Sequence, residues 1–138
     1  PAAYRNYFYA KMTKSQALQQ QFNDALKRFE EVLQEEKTDF IRDSAIKRFE
    51  LVFDLAWKAL KAFLEKRGVK CVSPRTCFRE AYHQGLIEYD EIWMKMVDER
   101  NYTAHVYKEV LAERIYKELP EALSAFKKLA EALTKNEN

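Results

Sequence analysis

Residues 46–63 read IKRFELVFDLAWKALKAF, and this stretch decides the fold class. Ile46, Phe49, Phe53, Ala56, Leu60 and Phe63 recur at steps of three and four residues, the spacing of one face of an α-helix. Val52, Leu55, Ala59 and Ala62 widen the apolar surface beyond a single stripe. A helix this broadly apolar is covered on more than one side. A four-helix bundle covers one stripe per helix, so the surplus predicts a contact between two copies of the chain. Glu50, Asp54 and Lys58 follow at i, i+4 and i+8 as one polar column. Such a column is either a solvated, charge-paired face or the lining of a polar cleft.

Working outward, Thr38 or Asp39 caps this helix, and Thr13-x-x-Gln16 has the capping-box pattern that opens an earlier one. The earlier helix carries Phe22, Leu26, Phe29 and Leu33, with Ala25 and Val32 alongside. On the C-terminal side, Lys66 and Arg67 sit in the last turn, and Gly68 supplies a left-handed cap. Ser73-Pro74 then starts a short helix that ends near Gly85. Glu88 or Asp90 caps the next helix, which buries Ile92, Trp93, Met96 and Val97. After a break around residues 103–107, a final helix takes Val110, Leu111, Ile115 and Leu119. Pro120 kinks or restarts it before Leu123, Phe126, Leu129 and Ala130 continue the stripe. Residues 134–138 are a frayed tail, and residues 1–12 are a docking arm or a vector-derived extension outside the core. The expectation is an all-α, up-and-down four- to five-helix bundle that dimerises, with residues 1–138 as one domain.

Composition agrees. Hydrophobic residues are 47% of the 138, which excludes disorder, and two glycines with three prolines are too few for an all-β fold. No run approaches the roughly 20 apolar residues of a membrane helix, and no secretory leader is present, so the expectation is a cytoplasmic protein away from the membrane. With 24 basic and 22 acidic residues, net charge does not announce nucleic acid. Lys66, Arg67, Lys70, Arg75 and Arg79 nevertheless lie together with no acid among them. They form an RNA-facing phosphate patch, or Lys66 and Arg67 merely complement a helix C-terminus. Cys71 and Cys77 fit neither CxxC redox nor zinc-finger spacing and read as free buried thiols. A metal site completed by His83 and His105 lacks paired-ligand spacing, so no metal is expected.

The string Asp98-Glu99-Arg100-Asn101-Tyr102-Thr103-Ala104-His105-Val106-Tyr107 carries the chemistry. On one continuous helix Arg100 and His105 would point about 140° apart. If the helix ends between them, the chain can turn His105 back toward Arg100. A histidine that titrates near neutrality can take or give a proton at a ribose hydroxyl, and an arginine fork can hold the oxygens of a pentacoordinate phosphorus. Acid–base cleavage needs two protonation roles, which a two-fold dimer would supply. The bare pair also arises in proteins where the arginine simply pairs with an acid and the histidine is half-buried.

The segment resembles the Arg-x4-His-x-Tyr signature of HEPN-domain toxins, matched by Arg100, His105 and Tyr107. Further blocks are similar to the same family, also known as nucleotidyltransferase substrate-binding proteins: residues 47–58, Ser73-Pro74-Arg75, Arg79-Glu80-Ala81, and Gly85-Leu86-Ile87 followed by Trp93. The resemblance implies a dimeric bundle acting as a metal-independent endoribonuclease without cofactor, with Arg100 and His105 catalytic and RNA as substrate. It further implies a minimal nucleotidyltransferase antitoxin as partner, which transfers AMP to Tyr107 and so blocks the cleft. Asp98 and Asn101 would orient the catalytic pair, although Tyr107 can also be an ordinary packed aromatic. The alternative implied by the family's older name is a non-catalytic nucleotide- or substrate-binding subunit of a two-component nucleotidyltransferase. A purely structural helical module is the third reading.

Overall fold

A computed structural model describes residues 11–136. Among them lie five α-helices: α1 (Lys14–Leu33), α2 (Asp39–Lys66), α3 (Pro74–His83), α4 (Ile92–Tyr102) and α5 (Glu109–Lys135), with a 3-10 turn at Thr103–His105 between the last two. The long helices α1, α2 and α5 pack on one another, and the short α3 and α4 close the remaining side against α2 and α5. The all-α bundle expected from the apolar spacing is therefore the observed architecture.

Local chemistry sets the ends. Thr13 and Gln16 form the reciprocal capping box, with each backbone N–H donating to the other's side chain at 3.0 and 3.1 Å. Thr38 Oγ1 accepts from the Ile41 N–H, and Ser73 Oγ from the Thr76 N–H, while Pro74 takes the first position of α3, where no N–H is needed. Asp90 Oδ1 accepts from the Ile92 N–H and opens α4. Gly68 and Gly85 adopt φ of +79° and +75°. Each lets the next residue's N–H return to the helix it leaves, Val69 to Leu64 O and Leu86 to Ala81 O.

The core is aromatic. Phe126 of α5 touches Phe22 and Phe29 of α1, Phe49 of α2 and Trp93 of α4, with ring centroids 6.0–6.4 Å apart across this set. Phe53 continues the chain to Phe78, which packs on Trp93 at 4.6 Å. Helix α2 buries side chains from Arg42 to Leu64 against α1, α3 and α5. The breadth that suggested a second copy is thus covered within the chain, and only Leu51 of its apolar residues between 46 and 63 is exposed.

Four expectations need correcting. Cys71 and Cys77 are not free thiols: they form a disulfide, with Cα atoms 5.1 Å apart, because the turn at Ser73-Pro74 folds the first turn of α3 back over the preceding extended segment. Val110 is 85% exposed, and the buried stripe of α5 starts at Ala112, three residues before Ile115. Pro120 does not restart the last helix, which runs through it with the proline exposed on its outer side. Residues 134 and 135 are helical rather than frayed, and Arg67 Nη2 donates to the Asn136 carbonyl to hold that end. The expected arm falls almost wholly outside the described residues, as do residues 137 and 138. No helix among the described residues is long and apolar enough to cross a membrane.

Two stability outcomes follow. Phe126→Ala should cost about 3–5 kcal/mol in urea unfolding, since four elements lose their shared contact. Replacing Cys71 and Cys77 together by serine should cost about 2 kcal/mol. The parent protein measured in dithiothreitol should show the same loss.

Candidate functional site

Helix α4 ends at Tyr102, the 3-10 turn carries Thr103–His105, and α5 begins at Glu109. The helix thus breaks between Arg100 and His105, as the motif requires, but the two side chains take different partners. Arg100 points across to α2. Its Nε and Nη2 donate to the two carboxylate oxygens of Asp54, each at 3.1 Å, and Glu50 stands 4.0 Å from Nη1. Arg100 Nη1 also donates to Thr103 Oγ1 at 3.0 Å, and that hydroxyl donates back to the Arg100 carbonyl at 2.7 Å. The bond to Asp54 and the charges of Asp54 and Glu50 push the guanidinium pKa up against its partial burial. His105 is exposed, with Nδ1 3.4 Å from the Tyr107 hydroxyl and the two rings edge to face at 5.9 Å. Tyr107 is 74% exposed, so it is not an ordinary packed aromatic.

Beside Arg100 runs an open groove of about 590 Å³ between α2, α3 and α4. Trp57 and Phe53 line its α2 side, Ser73, Pro74 and Arg75 its α3 side, and Asn101 its α4 side. The Cys71–Cys77 bond encloses Ser73, Pro74 and Arg75 in its loop and so ties down that wall. Arg75 Nη2 donates to Asp98 Oδ1 at 3.2 Å, and Nη1 lies 3.5 Å from Met94 Sδ. Asp98 therefore turns to Arg75 rather than to Arg100.

Two members of the basic cluster have partners within the chain. Arg67 lies over the Phe63 ring at 4.5 Å and bonds the end of α5, whereas Arg75 is committed to α4. Lys66, Lys70 and Arg79 are exposed. The disulfide removes both cysteines from any ligand set with His83 and His105.

Two features escaped the sequence reading. The Arg100 clamp was visible only as the polar column on α2, of which Asp54 lines the groove and Glu50 is charge-paired, while Lys58 is exposed. Arg42 was missed altogether. It is 2% exposed and donates to Glu109 at 2.6 Å and Glu113 at 2.9 Å, with Asp43 at 3.0 Å. The available signal was an arginine on the same helical stripe as Ala45, Ile46 and Phe49, matched by two glutamates one turn apart on α5. This network anchors the start of α5, and with it the segment carrying His105 and Tyr107. Asp39 joins Glu109 and Glu113 in a carboxylate cluster, and each of the three is already ion-paired with Arg42 or Lys37. Bonds from Arg42 lower the Glu109 pKa, and bonds from Lys37 and then Arg42 lower that of Glu113.

The family described as "Nucleotidyltransferase substrate binding protein like" matches residues 17–135. A crystal structure of a protein from Thermus thermophilus superposes with a TM-score of 0.77 at 36% identity, covering 81% of this chain and 98% of that one. A Haemophilus influenzae protein, described as revealing the fold of a substrate binding domain of a nucleotidyltransferase, superposes with a TM-score of 0.73 at 24% identity, covering 82% and 96%. A comparison with curated proteins finds no match.

Next to Arg100 in the chain, Glu99 turns the other way, into the α4–α5 interface. It is 8% exposed, Arg114 Nη2 lies 3.4 Å from Oε1, and Oε2 has no hydrogen-bond partner. Burial raises its pKa, Arg114 opposes the rise, and the charge of Glu118 adds to it. A carboxyl whose pKa is higher folded than unfolded costs no stability below the unfolded value and destabilises as pH rises through the folded one. Glu99→Gln should therefore raise Tm in mildly alkaline buffer, with the gain shrinking as pH falls toward about 4. Melting curves of parent and variant across that range check the sign. Glu109 and Glu113 work in the opposite sense: the stability they contribute is lost as pH falls through their lowered values.

Proposed function

This chain belongs to the family of nucleotidyltransferase substrate-binding proteins, and on that premise we propose that it is the non-catalytic, nucleotide-binding subunit of a two-component nucleotidyltransferase. The observation that carries this reading is the Arg100–Asp54 pair. An arginine that stabilises a phosphorane must turn its fork to the substrate, and here two of its three nitrogens are held edge-on by a carboxylate. A binding role asks less of it. In this reading the groove takes the nucleotide, with Trp57 as a stacking surface for the base, and with the start of α3 and the outer edge of Arg100 turned to phosphate. The nucleotidyltransferase partner docks on this face, and the His105–Tyr107 segment is exposed to it.

A second reading, the HEPN-type endoribonuclease toxin, draws on the contact between His105 and Tyr107. There His105 is the acid and base, Arg100 releases Asp54 when RNA arrives, a homodimer supplies the second histidine, and AMP on Tyr107 silences the pair. Both readings place the protein in the cytoplasm. The thiol state of Cys71 and Cys77 after rapid alkylation reports on the compartment, since disulfides persist chiefly in oxidising ones.

One set of assays separates the two. AMP and ATP should bind the parent and His105→Ala alike, and Trp57→Ala should weaken binding about tenfold, in line with the loss of one stacked base. RNA incubated in EDTA should stay intact, with intact mass recorded to exclude an AMP on Tyr107. Cleavage by the parent and not by His105→Ala would replace the binding-subunit reading with the ribonuclease.

A further inference from the structure

A second cavity, of about 520 Å³, opens beyond Met94, between the outer side of α3 and the loop leading into α4. Its floor is the buried Phe78–Trp93 pair, with ring centroids 4.6 Å apart. Its mouth is flanked by Tyr82 and Tyr89, edge to face at 5.6 Å and 71°. These tyrosines are 45% and 70% exposed. The rim carries three carboxylates, Glu88, Asp90 and Glu91, against one guanidinium, Arg79, and one imidazole, His83. The cavity is large enough for a small ligand or an inserted side chain.

From this geometry we infer that the cavity is a docking site for an arginine side chain of a partner protein. Two exposed aromatic rings and three acids border the same volume, a setting in which a guanidinium can stack on an aromatic face and be neutralised by a carboxylate. The same carboxylates repel a phosphate, so a nucleotide or nucleic acid is disfavoured here. The apolar floor receives the methylene stem of the inserted residue. Arg75, which bonds Met94 from the groove side, separates the two sites. The inference is therefore independent of what the groove beside Arg100 binds.

The test uses the full chain carrying Trp57→Phe, so that Trp93 reports alone. A short capped peptide with one central arginine is titrated while Trp93 fluorescence is followed, beside the same peptide with neutral citrulline and beside free guanidinium ion. Saturable change with the arginine peptide, weaker with citrulline and with guanidinium, supports a peptide-borne arginine site. Tyr82→Ala with Tyr89→Ala should weaken binding about tenfold, as should Glu88→Gln with Glu91→Gln at low salt. Circular dichroism should stay unchanged, since all four side chains are exposed. No saturable response, equal binding of arginine and citrulline peptides, or equal binding by folded double variants would overturn the proposal. So would free guanidinium ion binding as tightly as the peptide.

Discussion

Helix α2 presents more apolar circumference than one neighbouring helix can cover, and the rest of the molecule is arranged to meet that demand. Helices α1 and α5 take two of its sides, and the short helix α3 takes part of a third. Each buried phenylalanine on α2 contributes on the order of 2–3 kcal/mol of apolar transfer, so leaving any side open would be costly in a protein stable by only about 5–15 kcal/mol. Because α3 is short, the cover is incomplete. The polar column of Glu50 and Asp54 emerges at the gap, where α4 delivers Arg100. The groove is thus a by-product of how a broad helix is wrapped.

Two arginines bracket the segment between α4 and α5. Arg100 joins the end of α4 to α2, and Arg42 joins α2 to the start of α5. Arg42 is the more demanding of the two, since its side chain is almost fully enclosed and must keep its acids to remain there. Removing one partner of such a pair costs more than the pair contributes, because an uncompensated buried charge remains. His105 and Tyr107 therefore sit on a short exposed loop whose two ends are tied to the same helix. An exposed tyrosine on an anchored loop suits presentation to another protein better than it suits core packing.

The same geometry separates binding from catalysis. A preorganised catalytic arginine gains from being free to meet developing charge, whereas one held by Asp54 must first exchange a carboxylate for a phosphate. The proposed binding role is compatible with that arrangement, because Trp57 and the N-terminal end of α3 line the groove without taking part in the Arg100–Asp54 pair. The disulfide loop that fixes the α3 wall adds rigidity on the side where a ligand would lean. It also shows why C-x5-C was misread: motif tables ask about contiguous spacing, whereas the Ser73-Pro74 turn decides which atoms meet.

The sequence by itself determined the helices, most of their caps and, apart from Val110 on α5, the stripe each one buries. Thr13, Thr38, Ser73, Gly68 and Gly85 act within a few residues, and apolar periodicity is a property of one segment. It also placed the break between Arg100 and His105. The tertiary structure alone decided where charges go. Asp54, 46 residues before Arg100, and Glu109, 67 residues after Arg42, become partners only when separate helices pack, and nothing local distinguishes them from solvated surface acids. The same holds for Val110, whose exposure follows from the rotation of α5 against its neighbours, and for the breadth of α2, most of which α1, α3 and α5 cover. Local propensity is written in neighbouring residues, but electrostatic partnership and burial are written in distances that only packing creates.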